Sequence, residues 1–202
     1  MVRLTDTIHR IVLPRGDQSN IAVQTGPDGV LLVGSGFSRR ATEKLRGAIA
    51  PLNGGPIRII VNAYLHPDHI AGNAIGGEAI PIIDISNLEE MADAGIIGRA
   101  SDLLADTTYT LRLNGEEIRL IPYPGIHARE DMLVDFNRSG IVHMGDLLIA
   151  QSFPSVRQET EADLALLEKV PGMFPDPTTF ICGHGPECRR EEIERCRAML
   201  AV

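Results

Sequence analysis

Short apolar runs separated by turn residues fill the first half of the chain. Residues 8–13 and 20–25 read as short strands, GPDG at 26–29 turns the chain, and VLLV at 30–33 returns it. Ser38 stands at an N-cap position, and the pattern after it predicts a helix to about residue 50, with Leu45 and Ile49 inward and charged side chains outward. PLNGGP breaks that helix. IRIIV at 57–61 is nearly continuous in apolar character, as in a strand covered on both faces. A strand over 79–85 and a helix over 87–94 follow. Residues 109–113 and 117–122 flank Asn114-Gly115, the strongest hairpin signal in the chain. Residues 132–136 and 141–144 pair across NRSG, 161–170 is helical, and 179–182 is a last short strand before GHGPE and a helix to about residue 200. Linkers, repeats and low-complexity tracts are absent from the sequence, so 1–202 reads as one domain of packed sheets with helices outside.

Composition narrows this picture. Hydrophobic residues make up 44% and aromatic residues 4%, without tryptophan, so the core has to come from Ile, Leu, Val and Ala. The net charge of -8 argues against a nucleic-acid backbone as partner, because such surfaces are normally basic. No apolar run approaches the roughly 18 residues that span a bilayer, and MVRLTDTIHRIVL is too polar for a signal peptide. The expectation is a soluble cytoplasmic protein, without membrane or nucleic-acid partners; a secreted protein already cleaved of its leader would read the same. Of the three cysteines, Cys182 ends a strand, while Cys188 and Cys196 fall on one predicted helix about 12 Å apart, too far for a disulfide. Three reduced thiols are expected.

The chemistry gathers after the strands. VNAYLHPDHIAGN, from Val61 to Asn73, puts His66, Asp68 and His69 directly after one strand; His127, Asp146 and His184 follow three others, mostly flanked by glycines. Strand ends converge on one edge of a sheet, so donors distant in sequence can meet there. Imidazole and carboxylate donors suit zinc or a similar divalent ion.

YLHPDHIAGN resembles the H-x-H-x-D-H signature of the metallo-β-lactamase superfamily, with Tyr64 in place of the first histidine. PGIH, MGD, CGHG and GVLLVGSGF are similar to its other motifs, in the same order, with Gly34 where an aspartate is usual. The resemblance implies an αββα sandwich, two mixed sheets with helices outside, and a metal site at one edge between the sheets. By position, one metal would be held by Tyr64, His66 and His127, and another by Asp68, His69 and His184, with Asp146 bridging. Tyrosine is a poor zinc ligand at neutral pH because a phenol titrates near 10. One tightly bound zinc is therefore expected, with manganese or iron as alternatives.

The implied activity is metal-dependent hydrolysis of an ester, thioester, amide or lactam in a small-molecule substrate, with Asp68 as the catalytic residue handling the water. The alternative is a non-catalytic member kept as a binding or interaction module. Tyr64 either fills the space of the lost ligand or offers its hydroxyl to substrate. His143 and His9 lie within strands and read as packing or surface. Arg129, Glu130 and Arg157 could line a pocket mouth, exposed loop charge being the commoner role. Ser35 in GSGFS does not complete G-x-S-x-G, which leaves serine hydrolysis without a motif. Nothing in the sequence indicates an oligomeric state.

Overall fold

A computed structural model describes residues 1–12, 18–77, 80–100, 107–123, 131–150, 154–155 and 161–200. Its first sheet runs in order β1 (Val2–Arg3), β2 (Ile8–Val12), β3 (Asn20–Gln24), β4 (Val30–Val33), β5 (Ile57–Val61) and β6 (Ile82–Ile83), antiparallel up to β4 and parallel from β4 to β6. The second sheet contains β7 (Gly98–Arg99), β8 (Tyr109–Leu113), β9 (Glu116–Pro122), β10 (Met132–Phe136) and β11 (Ile141–His143), each antiparallel to the next. Ile149–Ala150 (β12) and Pro154–Ser155 (β13) form a two-stranded ribbon, and Thr179–Ile181 (β14) returns to the second sheet, parallel to β11. The helices are α1 (Arg39–Ile49), α2 (Pro67–Ile70), α3 (Leu88–Asp93), α4 (Glu161–Met173) and α5 (Arg190–Leu200).

The period of two along each strand builds the layers. In β4, Leu31 and Val33 face the second sheet, whereas Val30 and Leu32 face α1; all four are fully buried. In β10, Met132, Val134 and Phe136 face the first sheet, and Leu133 faces the side covered by α4 and α5. Three apolar spaces result, stacked as helix, sheet, sheet, helix. Ala41, Leu45 and Ile49 seat α1 on the first sheet; Leu167, Val170, Ile193 and Cys196 seat α4 and α5 on the second. Each fully buried Leu, Ile or Val side chain contributes about 1.5–3 kcal/mol. The Ser38 side chain accepts from the Ala41 N–H at 3.2 Å, capping α1 as its sequence position implies. No helix among the described residues is long and apolar enough to cross a membrane.

Several boundaries differ from the sequence pattern. The strand expected over 79–85 is described only as β6, because Asp84 and Asn87 bond each other's turn: the Asp84 N–H donates to Asn87 Oδ1 at 3.0 Å. The segment after β5 contains a helical turn, α2, that no apolar period signals. α4 runs on through Pro171 to Met173, with Val170 and Phe174 buried in the outer core; packing outweighs the hydrogen bond that proline removes. Cys188 is not on the C-terminal helix. It precedes α5, whose start is fixed by the Arg189 N–H donating to Glu192 Oε2 at 2.8 Å. Cys188 instead exchanges two backbone hydrogen bonds with Phe180, 2.9 Å each, and its sulfur lies 3.5 Å from that of Cys182. The three cysteines are free and buried.

The two sheets present one common edge. The parallel strands β4 and β5 end there in the first sheet, as do β11 and β14 in the second. The starts of the antiparallel β3 and β10 lie at the same edge, and cross-links join the sheets: the Asn20 N–H donates to the Gly183 carbonyl at 2.7 Å and the Met132 N–H to the Ala63 carbonyl at 3.0 Å.

Candidate metal site

Each potential ligand leaves a strand end on a short, braced turn. After β5, His66 stands at the N-cap position of α2, its carbonyl accepting from the His69 and Ile70 N–H groups, and Pro67 takes the first helical position, where a missing N–H loses nothing. That turn brings Asp68 and His69 back over the sheet edge. Their carbonyls are tied down: the Ser19 hydroxyl donates to the Asp68 carbonyl at 2.9 Å, and the Ser35 N–H to the His69 carbonyl at 2.7 Å. Gly72 is required just beyond, since a β-carbon there would fall 2.0 Å from the Ser35 carbonyl oxygen.

On the second sheet, Asp146 sits in a short 3-10 turn after β11, Gly145–Leu147. His184 follows β14. Gly183 lets the two approach, for a β-carbon on it would lie 2.0 Å from Asp146 Oδ1.

Asp68, His69, Asp146 and His184 thereby present one ligand atom each, all within 4.8 Å of one another. His69 Nε2 lies 3.3 Å from Asp68 Oδ2 and 3.2 Å from Asp146 Oδ1, and His184 Nε2 lies 3.3 Å from both of those oxygens. Such spacing suits neighbouring ligand atoms around one divalent ion. His69 Nε2 is buried and makes no well-aligned hydrogen bond. Burial would raise both carboxyls, but the hydrogen bond from His184 and the charge of His69 hold Asp68 below the ordinary carboxylate range. The same two imidazoles hold Asp146 further below it. In return, hydrogen bonds to Asp146 and Asp68 push the His184 imidazole up to about 9. The four groups together favour positive charge among them, which a divalent cation satisfies. Geometry, an aimed imidazole nitrogen and field all fit a metal.

The other expected donors fall elsewhere. His66 is outside the four-residue group, and its Nε2 lies 2.9 Å from the Tyr64 hydroxyl, with the two rings 4.2 Å apart. Tyr64 is fully buried and packs edge-on against His69. Its ring fills the corner where a histidine ligand would stand, and its hydroxyl engages the nitrogen His66 would offer. His127, Arg129, Glu130 and Arg157 lie outside the described residues. Gly34 adopts a positive φ of 79°, and a β-carbon there would be 4.0 Å from His69 Nδ1, so a carboxylate in that place would stand against the His69 ring. His143 and His9 are both buried. Sequence reasoning assigned nothing to Ser19, whose contact with Asp68 depends on how β3 approaches α2; Ser35 was weighed only as a nucleophile.

Comparison with known proteins agrees with this fold. The family model of the metallo-beta-lactamase superfamily matches residues 14–184. A metallo-beta-lactamase from Pontibacter korlensis superposes with a TM-score of 0.74 at 17% identity, covering 99% of this chain and 97% of that one. A metallo-beta-lactamase from Pseudomonas aeruginosa in its mono-zinc form gives 0.69 at 23%, covering 99% and 93%. A stereoselective inverting sec-alkylsulfatase from Pseudomonas sp. gives 0.69 at 16%; the chain covers 98% of itself but 41% of that protein. The αββα layering, the motifs in order and the family match together place this chain in the metallo-beta-lactamase superfamily.

Proposed function

We propose that the protein is a single-metal hydrolase that cleaves an ester, thioester, amide or lactam bond in a small molecule, using zinc or, in its place, manganese or iron. The observation that carries this reading is the cluster of Asp68, His69, Asp146 and His184, in which each imidazole Nε2 lies 3.2–3.3 Å from both carboxylate oxygens. A divalent ion held there with one position left open for water would polarise the scissile carbonyl and lower the pKa of that water towards about 7.

Exposure separates the roles of the four residues. The side chains of His69 and Asp146 are 2% and 1% exposed, and form the floor. Those of Asp68 and His184 are 13% and 16% exposed, and reach the mouth. Asp68 is thus the carboxylate that a substrate and a water can approach. Its other oxygen, Oδ1, would orient the water and take up its proton, while Asp146 stays charged and sealed. Asp68 is the catalytic residue in this account. Tyr64 keeps His66 out of the ligand set, so the edge of the site beside it faces substrate rather than a second ion.

The mono-zinc state of the Pseudomonas aeruginosa neighbour shows that a protein of this fold is found with one zinc. The alkylsulfatase neighbour shows that the fold carries more than one activity, so the substrate panel is kept broad. The test is a panel of ester, thioester, amide and lactam substrates with zinc, manganese or iron supplied, repeated after chelation. Turnover that chelation abolishes supports the reading. No turnover across the panel, with metal bound, would favour a binding module in which Tyr64 and Gly34 have closed down the chemistry.

A further inference from the structure

Behind the four clustered donors lies a buried polar network that approaches both of the second sheet's contributions. Asn20, at the start of β3, is fully buried. Its Nδ2 donates to the carbonyls of Cys182 at 2.7 Å and Gly185 at 2.8 Å, which bracket Gly183 and His184. Its backbone N–H donates to the carbonyl of Gly183 at 2.7 Å. Its Oδ1 accepts from Arg10 Nη1 at 2.8 Å; the same nitrogen reaches the Gly185 carbonyl at 3.2 Å. Arg10 is anchored in turn on both oxygens of Glu187, at 3.0 and 3.3 Å.

A second arm leads to Asp146. The Asn20 carbonyl lies 3.3 Å from His143 Nε2, and His143 Nδ1 accepts the Gly145 N–H at 3.1 Å. Since Nδ1 is accepting, the proton is on Nε2 and faces the Asn20 carbonyl. His143 therefore ties the turn carrying Asp146 to the same residue that ties the loop carrying His184.

We infer that Asn20 is the positioning residue that holds His184 and Asp146 in register for a shared cation. This rests on the single-metal reading above. The loop bearing His184 contains Gly183 and Gly185, the latter at a φ of 87°, and needs an external brace. An uncharged amide is suited to that place because it offers two donors to carbonyls and an acceptor to Arg10 at once. A carboxylate of the same shape would set oxygen against oxygen at 2.7 Å. Loss of such outer support typically weakens metal binding about 10–100-fold.

The test uses the full chain and its Asn20→Asp and Asn20→Ala variants. Zinc affinity is measured by competition with a chromophoric chelator, and ligand geometry by the visible absorption of the cobalt(II) form. Circular dichroism establishes which variants fold, and thermal unfolding is followed without metal. We expect zinc binding weakened about 10–100-fold and a shifted cobalt band in folded variants. A merely structural asparagine would lower the metal-free unfolding temperature and leave affinity and cobalt band alone, which would overturn the inference. Should neither variant fold, Glu187→Gln loosens only the Arg10 anchor and should weaken zinc in the same direction by less; an unchanged affinity there would overturn it equally. Wild type that binds zinc beside equal variants refutes Asn20 alone. Wild type that binds no zinc refutes the metal reading itself, and this inference with it.

Discussion

At the residue scale, the two carboxylates of the site differ in one respect that decides their roles: Asp68 reaches the mouth and Asp146 does not. Asp68→Asn keeps shape and removes the base, so turnover should fall at least about 100-fold with the fold intact; steady-state kinetics against any substrate found in the panel checks it, and equal turnover would remove Asp68 from the mechanism. Tyr64 is the other decisive residue. Because its hydroxyl engages His66 Nε2, Tyr64→His should free that nitrogen and add a second metal per chain, read by elemental analysis. A variant still holding one metal would mean that the surrounding loop, and not the side chain alone, has lost the first site. His66, Asp68, His69, His127, Asp146 and His184 could be singled out as candidates because each follows a strand, most with a glycine close by, a local signal. Asn20 and Arg10 could not be, since the groups they hold near the site lie 123 or more positions away along the chain.

At the element scale, strands with a clear period of two were readable and the two-residue strands β1 and β7 were not, because two residues carry no period. α2 escaped for a similar reason: its single helical turn starts at Pro67 and carries no apolar face long enough to show a period. β11 ends on His143, whose burial, reinforced by the nearby charge of His69, pushes its imidazole down to about 4. An unfolded histidine takes up a proton near 6.5. Between those values the unfolded chain binds more protons than the folded one, so this histidine's contribution is present above 6.5 and lost as pH falls towards 4. The loss amounts to about 3 kcal/mol. Denaturant unfolding of the metal-free protein at several pH values should show a shallower slope over that window for His143→Gln than for wild type. Superimposable slopes would mean that the folded protein protonates His143 as readily as the unfolded chain does.

At the scale of the whole molecule, three apolar layers hold two sheets so that their shared edge collects donors from both. Asp68 and His69 come from the first sheet, Asp146 and His184 from the second, so a bound cation would also clip the sheets together. Zinc at a hundred times its dissociation constant should then stabilise the fold by about 2.7 kcal/mol, seen as a rise in the unfolding temperature that a chelator reverses. The order of motifs along the chain was enough to anticipate this architecture and to name Asp68, His69, Asp146 and His184 together, while the contact by which Tyr64 holds His66 aside required the packed geometry. That separation is the central claim, and zinc per chain, measured by elemental analysis after dialysis at low free metal, tests it most directly. One zinc per chain is the predicted result; two, or none, would contradict it.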